Sequence, residues 1–112
     1  MYDDTHETKF AAFDSAGNET FTIVAATTGK KIRVLAYVVS ITGTQTVKFQ
    51  SKPSGTATDL TGKGLAVPAS TTTIVSAGYN PRGWFETTLG SALQAVSSAA
   101  GNVGGHLTYI LV

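Results

Sequence analysis

The sequence predicts an all-β fold, and three observations carry that reading. Short stretches alternate apolar and polar side chains with a period of two, the mark of half-buried strands. Turn chemistry rich in Gly, Pro, Ser and Thr separates those stretches. No segment of the 112 residues holds apolar side chains at helical spacing over several turns. A chain of this length fits one domain.

Residues 1–19 are acidic. They hold Asp3, Asp4, Glu7, Asp14 and Glu19 against Lys9, whereas residues 20–112 hold seven Lys or Arg against Asp59 and Glu86. The reading is an N-terminal arm and first edge segment at 1–19, followed by a β-domain at 20–112. Residues 1–9 lack apolar periodicity, so they are expected to order only on a partner.

"ETFTIVAAT" puts Phe21 and Ile23 on one face and Thr20, Thr22 and Val24 on the other. "KKIRVLAYVVSITG" follows. Ile32, Val34, Ala36 and Val38 share one face; Arg33, Leu35, Tyr37, Val39 and Ile41 share the other. Both faces are largely apolar, which predicts a strand covered on both sides, the second by another subunit. Leu35, Tyr37, Val39 and Ile41 are therefore the candidate oligomer interface. "QTVKFQSK" alternates cleanly, with Val47 and Phe49 in and Lys48 and Gln50 out, so a hairpin is expected across Thr42-Gly43-Thr44.

"SKPSGTATDLTGKG" reads as a long loop. "STTTIVSA", "RGWFETTL", "GSALQAVSSAAG" and "GGHLTYILV" complete the strands. In the third of these, Leu93, Ala95 and Ser97 alternate with Ala92, Gln94 and Val96. In the last, Leu107, Tyr109 and Leu111 share a face. Roughly seven or eight strands with turns between them make the pattern of a single-domain antiparallel β-sandwich, and within that class of a jelly roll.

"GYNPRGWFET" concentrates the recognition residues. It holds the only tryptophan. Asn80-Pro81 signals a turn and Gly83 frees the backbone after it. Trp84 and Phe85 then point to opposite faces, so one enters the core and the other leaves it. Tyr79, Arg82, Trp84 and Phe85 form the candidate contact patch, because Tyr, Trp and Arg are enriched at binding hot spots. Glu86 has Arg82 or Lys31 as its possible partner.

Several classes of function find no support. The chain has no cysteine, which removes disulfides and thiol chemistry. No apolar run approaches the ~18 residues of a membrane-spanning helix, and the acidic start is unlike a signal peptide. A soluble product made in a cytoplasm is expected. The cations are spread out, without the dense cluster and interleaved aromatics of a nucleic-acid binder. His6 and His106 lie at opposite ends of the chain, and no set of ligands or catalytic triad can be drawn around them. "LTGKG" lacks the spacing and the helix of a phosphate-binding loop. The expectation is no enzyme, no metal and no cofactor.

The succession "TGKKIRVLAYVVS", "TVKFQS", "TDLTG", "GWFET", "GSALQAVSS" and "GGHLTYILV", spanning about residues 20–112, resembles small virion proteins of tailed bacteriophages. These are β-sandwich or jelly-roll proteins that decorate or cement the capsid, or form modules of head and tail fibres. The resemblance implies a viral structural protein on the capsid surface, made in the bacterial host's cytoplasm. It further implies a homotrimer bound to the major capsid protein or other virion proteins, without enzymatic activity. On that reading, Tyr2, Asp3, Asp4 and Glu7 belong to a capsid-docking arm. A carbohydrate- or receptor-binding jelly roll, or a structural domain of a head or tail fibre, are the alternatives.

Overall fold

The structure, a computed structural model, describes residues 7–61, 65–66 and 72–112. These form ten strands: β1 (Lys9–Gly17), β2 (Thr20–Val24), β3 (Ile32–Thr42), β4 (Thr46–Lys52), β5 (Thr58–Asp59), β6 (Leu65–Ala66), β7 (Thr72–Ala77), β8 (Phe85–Glu86), β9 (Ala92–Ser97) and β10 (Ala100–Leu111). No helix occurs among the described residues. One antiparallel sheet runs β1-β10-β3-β7, with β8 also on β3. The other runs β2-β9-β4-β5, with β6 also on β4. The expected all-β sandwich is what the chain forms.

Alternation explains most of the packing. β4 buries Val47, Phe49 and Ser51 and turns Lys48 and Gln50 outward. β9 buries Leu93, Ala95 and Ser97, and β10 buries Val103 and Leu107. Between the sheets lies one cluster that also includes Val24, Ile32, Val34, Val39 and Ile41. Its centre is aromatic. The Phe49 ring lies 5.3 Å from Phe85, 5.7 Å from Tyr37 and 6.3 Å from Phe13, the last edge to face. Fully burying a side chain of this size stabilises the fold by roughly 1.5–3 kcal/mol before packing geometry is counted.

β3 corrects the sequence reading. Thr108 pairs with Ala36 and Tyr109 with Val34, so Leu35 is an extra residue, a β-bulge. The bulge inverts the alternation. Ile32 and Val34 face the core before it; Tyr37, Val39 and Ile41 face the same core after it. The strand looked apolar on two faces because its inward set changes parity at Leu35. Val39 and Ile41 are fully buried within this one chain, and Tyr37 packs on the same cluster. Leu35 is also buried, outside that cluster, with its carbonyl accepting the Asn80 N–H at 2.9 Å. The four candidate interface residues thus do not form an outer face. A like irregularity in β2 lets Val24 reach the core after Phe21 and Ile23.

The expected hairpin across Thr42-Gly43-Thr44 is a second correction. Gly43 has a positive φ of 88° and the chain does turn there. However, β3 and β4 lie in different sheets, so the turn carries the chain from one layer to the other. Hydroxyls close both ends of the sandwich. At one end Thr87 Oγ1 accepts the Ile32 N–H at 2.9 Å, and Ser51, Thr88 and Ser91 form a chain of hydroxyl contacts. At the other, Ser97 bonds the Gln45 side chain and accepts the Asn18 N–H at 3.0 Å. Among the described residues, no buried side-chain N or O lacks a partner.

Candidate functional site

The segment between β7 and β8 must return from Ala77 to pair beside Arg33 and Val34. Asn80 organises that return. Its Oδ1 accepts the Arg82 N–H at 3.0 Å, and its carbonyl accepts the Gly83 N–H at 2.9 Å. This is a turn with Pro81 at its second position, where a fixed φ is favourable. Gly83 has φ of 83°, and a Cβ there would meet the Arg33 side chain, so glycine is required twice over.

The Trp84 N–H then bonds the Val34 carbonyl at 2.8 Å, and its indole Nε1 donates to the Gly78 carbonyl at 2.8 Å. Trp84 is 51% exposed and Tyr79 65% exposed, with Arg82 exposed between them. Phe85 goes inward to Phe49 and Tyr37. Three of the four predicted patch residues therefore share one loop surface, and Phe85 belongs to the core.

Sheet pairing sets the outer faces, since paired residues share a side. On the β1-β10-β3-β7 sheet, one outward row is Ala12, His106, Val38 and Ser76; a neighbouring row is Asp14, Gly104, Ser40 and Ile74. Phe10, Thr108 and Ala36 form a third. Phe10 lies against His106 with ring centroids 5.4 Å apart. The opposite sheet is different. Gln94 donates to Gln50 at 2.7 Å, Gln50 to Asp59 at 2.8 Å, and Lys48 reaches Asp59 at 3.2 Å. The hydrogen bond from Gln50, then that from Lys48, hold the Asp59 carboxyl below its usual range. That outer face is knitted to itself.

Two concavities mark the first sheet. A shallow groove of about 830 Å³ is lined by Asp14, Glu19, Ser40, Thr42 and Asn102 at the end where β1 turns into β2. A smaller one of about 310 Å³ is lined by Ala36, Val38, Ser76, Gly78, His106 and Thr108. Neither Asp14 nor Glu19 makes an ion pair among the described residues; Glu19 accepts a hydrogen bond from Ser15 at 2.6 Å. Lys9, Lys30, Lys31, Arg33 and Lys52 lie toward the far end.

Glu86 is there too, pairing with Arg33 at 2.9 Å and Lys31 at 3.4 Å; Arg82 is not its partner. Burial raises the Glu86 pKa, but the hydrogen bonds from Arg33 and Lys31 outweigh it and leave the carboxyl below its ordinary 4.5.

Of the candidate arm, Tyr2, Asp3 and Asp4 lie outside the described residues. Glu7 is exposed and pairs with Lys9 at 2.8 Å. His6 is also outside them. Among the described residues no three His, Cys, Asp or Glu converge to hold a metal. The sequence reading missed the surface around His106, Thr108 and Ser76, because their shared face exists only once β10, β3 and β7 are neighbours. Comparison of the chain with protein-family models, with curated proteins and with solved structures finds no match.

Proposed function

We propose that the chain is a non-enzymatic structural protein of a tailed-bacteriophage virion, of the type that decorates and cements the capsid as a homotrimer. The sandwich is, on this reading, a jelly roll. Its support is the pairing: β1 with β10, β2 with β9, β3 with β7 and β4 with β5. That is the pairing of one long antiparallel ribbon rolled on itself, first strand with last.

The observation that carries the assembly is the separation of charge along the sandwich. Asp14 and Glu19 line the groove at one end, while five cations against Glu7 and Glu86 occupy the other. Opposite charges at opposite ends favour a heterologous contact, in which the acidic groove of one copy meets the basic end of the next or a basic surface of the shell. Heterologous contacts close into a ring when the rotation between copies closes, and a trimer is a small ring. The resemblance to capsid-decorating virion proteins supplies the shell as partner.

Light scattering at low ionic strength tests the assembly. Three chain masses are expected, with dissociation promoted by salt and by Asp14→Asn with Glu19→Gln. A monomer under all conditions sinks the trimer. Heating capsids with and without the protein tests the cement, since binding to the intact shell raises its stability by mass action. An unchanged disruption temperature removes that role.

A further inference from the structure

We propose that the 310 Å³ concavity and the Trp84 loop together bind a neutral saccharide. The inference does not rest on the cement reading: the acidic groove and this site are separate parts of the molecule.

The floor is apolar, from Ala36 and Val38, and the rim carries the Ser76 and Thr108 hydroxyls and the His106 imidazole. No Asp, Glu, Lys or Arg lines it. The concavity itself therefore offers a charged ligand no counter-ion, and Arg82 of the neighbouring loop lies outside its lining, so a neutral ligand suits the concavity better than a phosphate or carboxylate. A pyranose fits the mixture, because it offers one C–H face to apolar groups and hydroxyls around its edge. The volume lies at the small end of ligand sites, which commonly run from about 300 Å³ upward.

Gly78 joins the two parts. It lines the concavity, and its carbonyl fixes the Trp84 indole. With Nε1–H already bonded inside the chain, Trp84 has its π-face to offer rather than its polar edge. The negative face of an aromatic ring attracts the polarised C–H bonds of a sugar. The ring is also held in place. The Asn80 and Trp84 N–H groups tie the loop to the Leu35 and Val34 carbonyls of β3, and the Arg82 and Gly83 N–H groups close it on Asn80, so little conformational freedom remains to be lost on binding. On the opposite flank, the exposed Phe10 ring lies against His106, which lines the concavity.

Trp84 is the sole tryptophan, so its fluorescence reports the site directly. The probes are an array of neutral and anionic oligosaccharides, and titration of the protein with soluble neutral oligosaccharides of glucose, galactose, mannose and N-acetylglucosamine. The expected result is a neutral hit with a saturable change in tryptophan emission. Trp84→Ala should weaken that hit by about tenfold or more, and Thr108→Val or Ser76→Ala by about threefold to tenfold. Thr22→Val, on the other sheet, should leave it unchanged. Thermal unfolding checks that each variant is folded, and the two hydroxyl variants test the site if Trp84→Ala is not. Absence of any neutral hit overturns the proposal. So does a hit that survives the Trp84 and Thr108 substitutions, a preference for anionic glycans, or an emission shift that follows protein concentration, which would place a second copy on the site.

Discussion

Gly83 shows how one residue shapes the candidate binding surface. Its φ of 83° is one that side-chain-bearing residues rarely adopt, and its α-carbon faces the Arg33 side chain. Gly83→Ala is expected to destabilise the protein by about 1–3 kcal/mol in urea unfolding, by strain and by displacing Arg33. Wild-type stability in that variant means the turn can relax. Arg33 in turn holds Glu86. Because the Glu86 carboxyl sits below its ordinary 4.5 in the folded protein, it adds stability that is present above 4.5 and is lost as pH falls through the lower folded value. Urea midpoints of wild type and Glu86→Gln should therefore differ at neutral pH and converge below pH 4.5; a gap that stays constant on acidification assigns the effect to packing. "GYNPRGWFET" displayed its turn and its aromatics in sequence. Which aromatic turned inward was not legible, because alternation gives relative sides only. Phe85 is inward since β8 pairs with β3 at Val34, a core position.

At the scale of the element, β3 carries the main lesson. Its composition was read correctly and its geometry was not. A two-residue period assumes an uninterrupted pleat, and the bulge at Leu35 breaks it without any Gly or Pro to announce the break. Ile32 and Val34 from one apparent face and Tyr37, Val39 and Ile41 from the other are two halves of one inward face, and Ala36 and Val38 lie on the outer side. This changes what a substitution there does. Val39→Glu places an unpaired charge in the core and should abolish folding of the single chain, rather than dissociate a folded oligomer. Folded monomers of Val39→Glu would restore the interface reading. Phe49 on β4 was legible, since β4 keeps strict alternation. Its ring touches Phe85, Tyr37 and Phe13, so Phe49→Ala should cost about 3–5 kcal/mol. A loss well under 1 kcal/mol would mean that the two sheets close over the gap.

For the whole molecule, strand existence followed from local pattern, but strand partners did not. Turn residues at Thr42-Gly43-Thr44 announced a reversal, and nothing local said that the chain would change sheets while reversing. Partners are chosen by which faces fill the same core, a property of all the strands together. The consequence is that the chain's last strand is central. β10 lies between β1 and β3, and Val112 exchanges two backbone hydrogen bonds with Lys31, at 2.8 and 2.9 Å. Deleting Leu107–Val112 would remove the partners of Lys9 to Ala11 on one side and of Ile32 to Tyr37 on the other, and would uncover Ile32 and Val34. Such a chain is expected to show no cooperative unfolding transition. A two-residue Gly-Ser insertion between Ser54 and Gly55 makes the contrast. It lengthens an exposed connection whose closure entropy grows only slowly with length, so its effect should stay within about 0.6 kcal/mol. If the truncated chain still melts cooperatively, the first sheet can close without its central strand, and the core between the two sheets must hold independently of the β1-β10-β3 pairing.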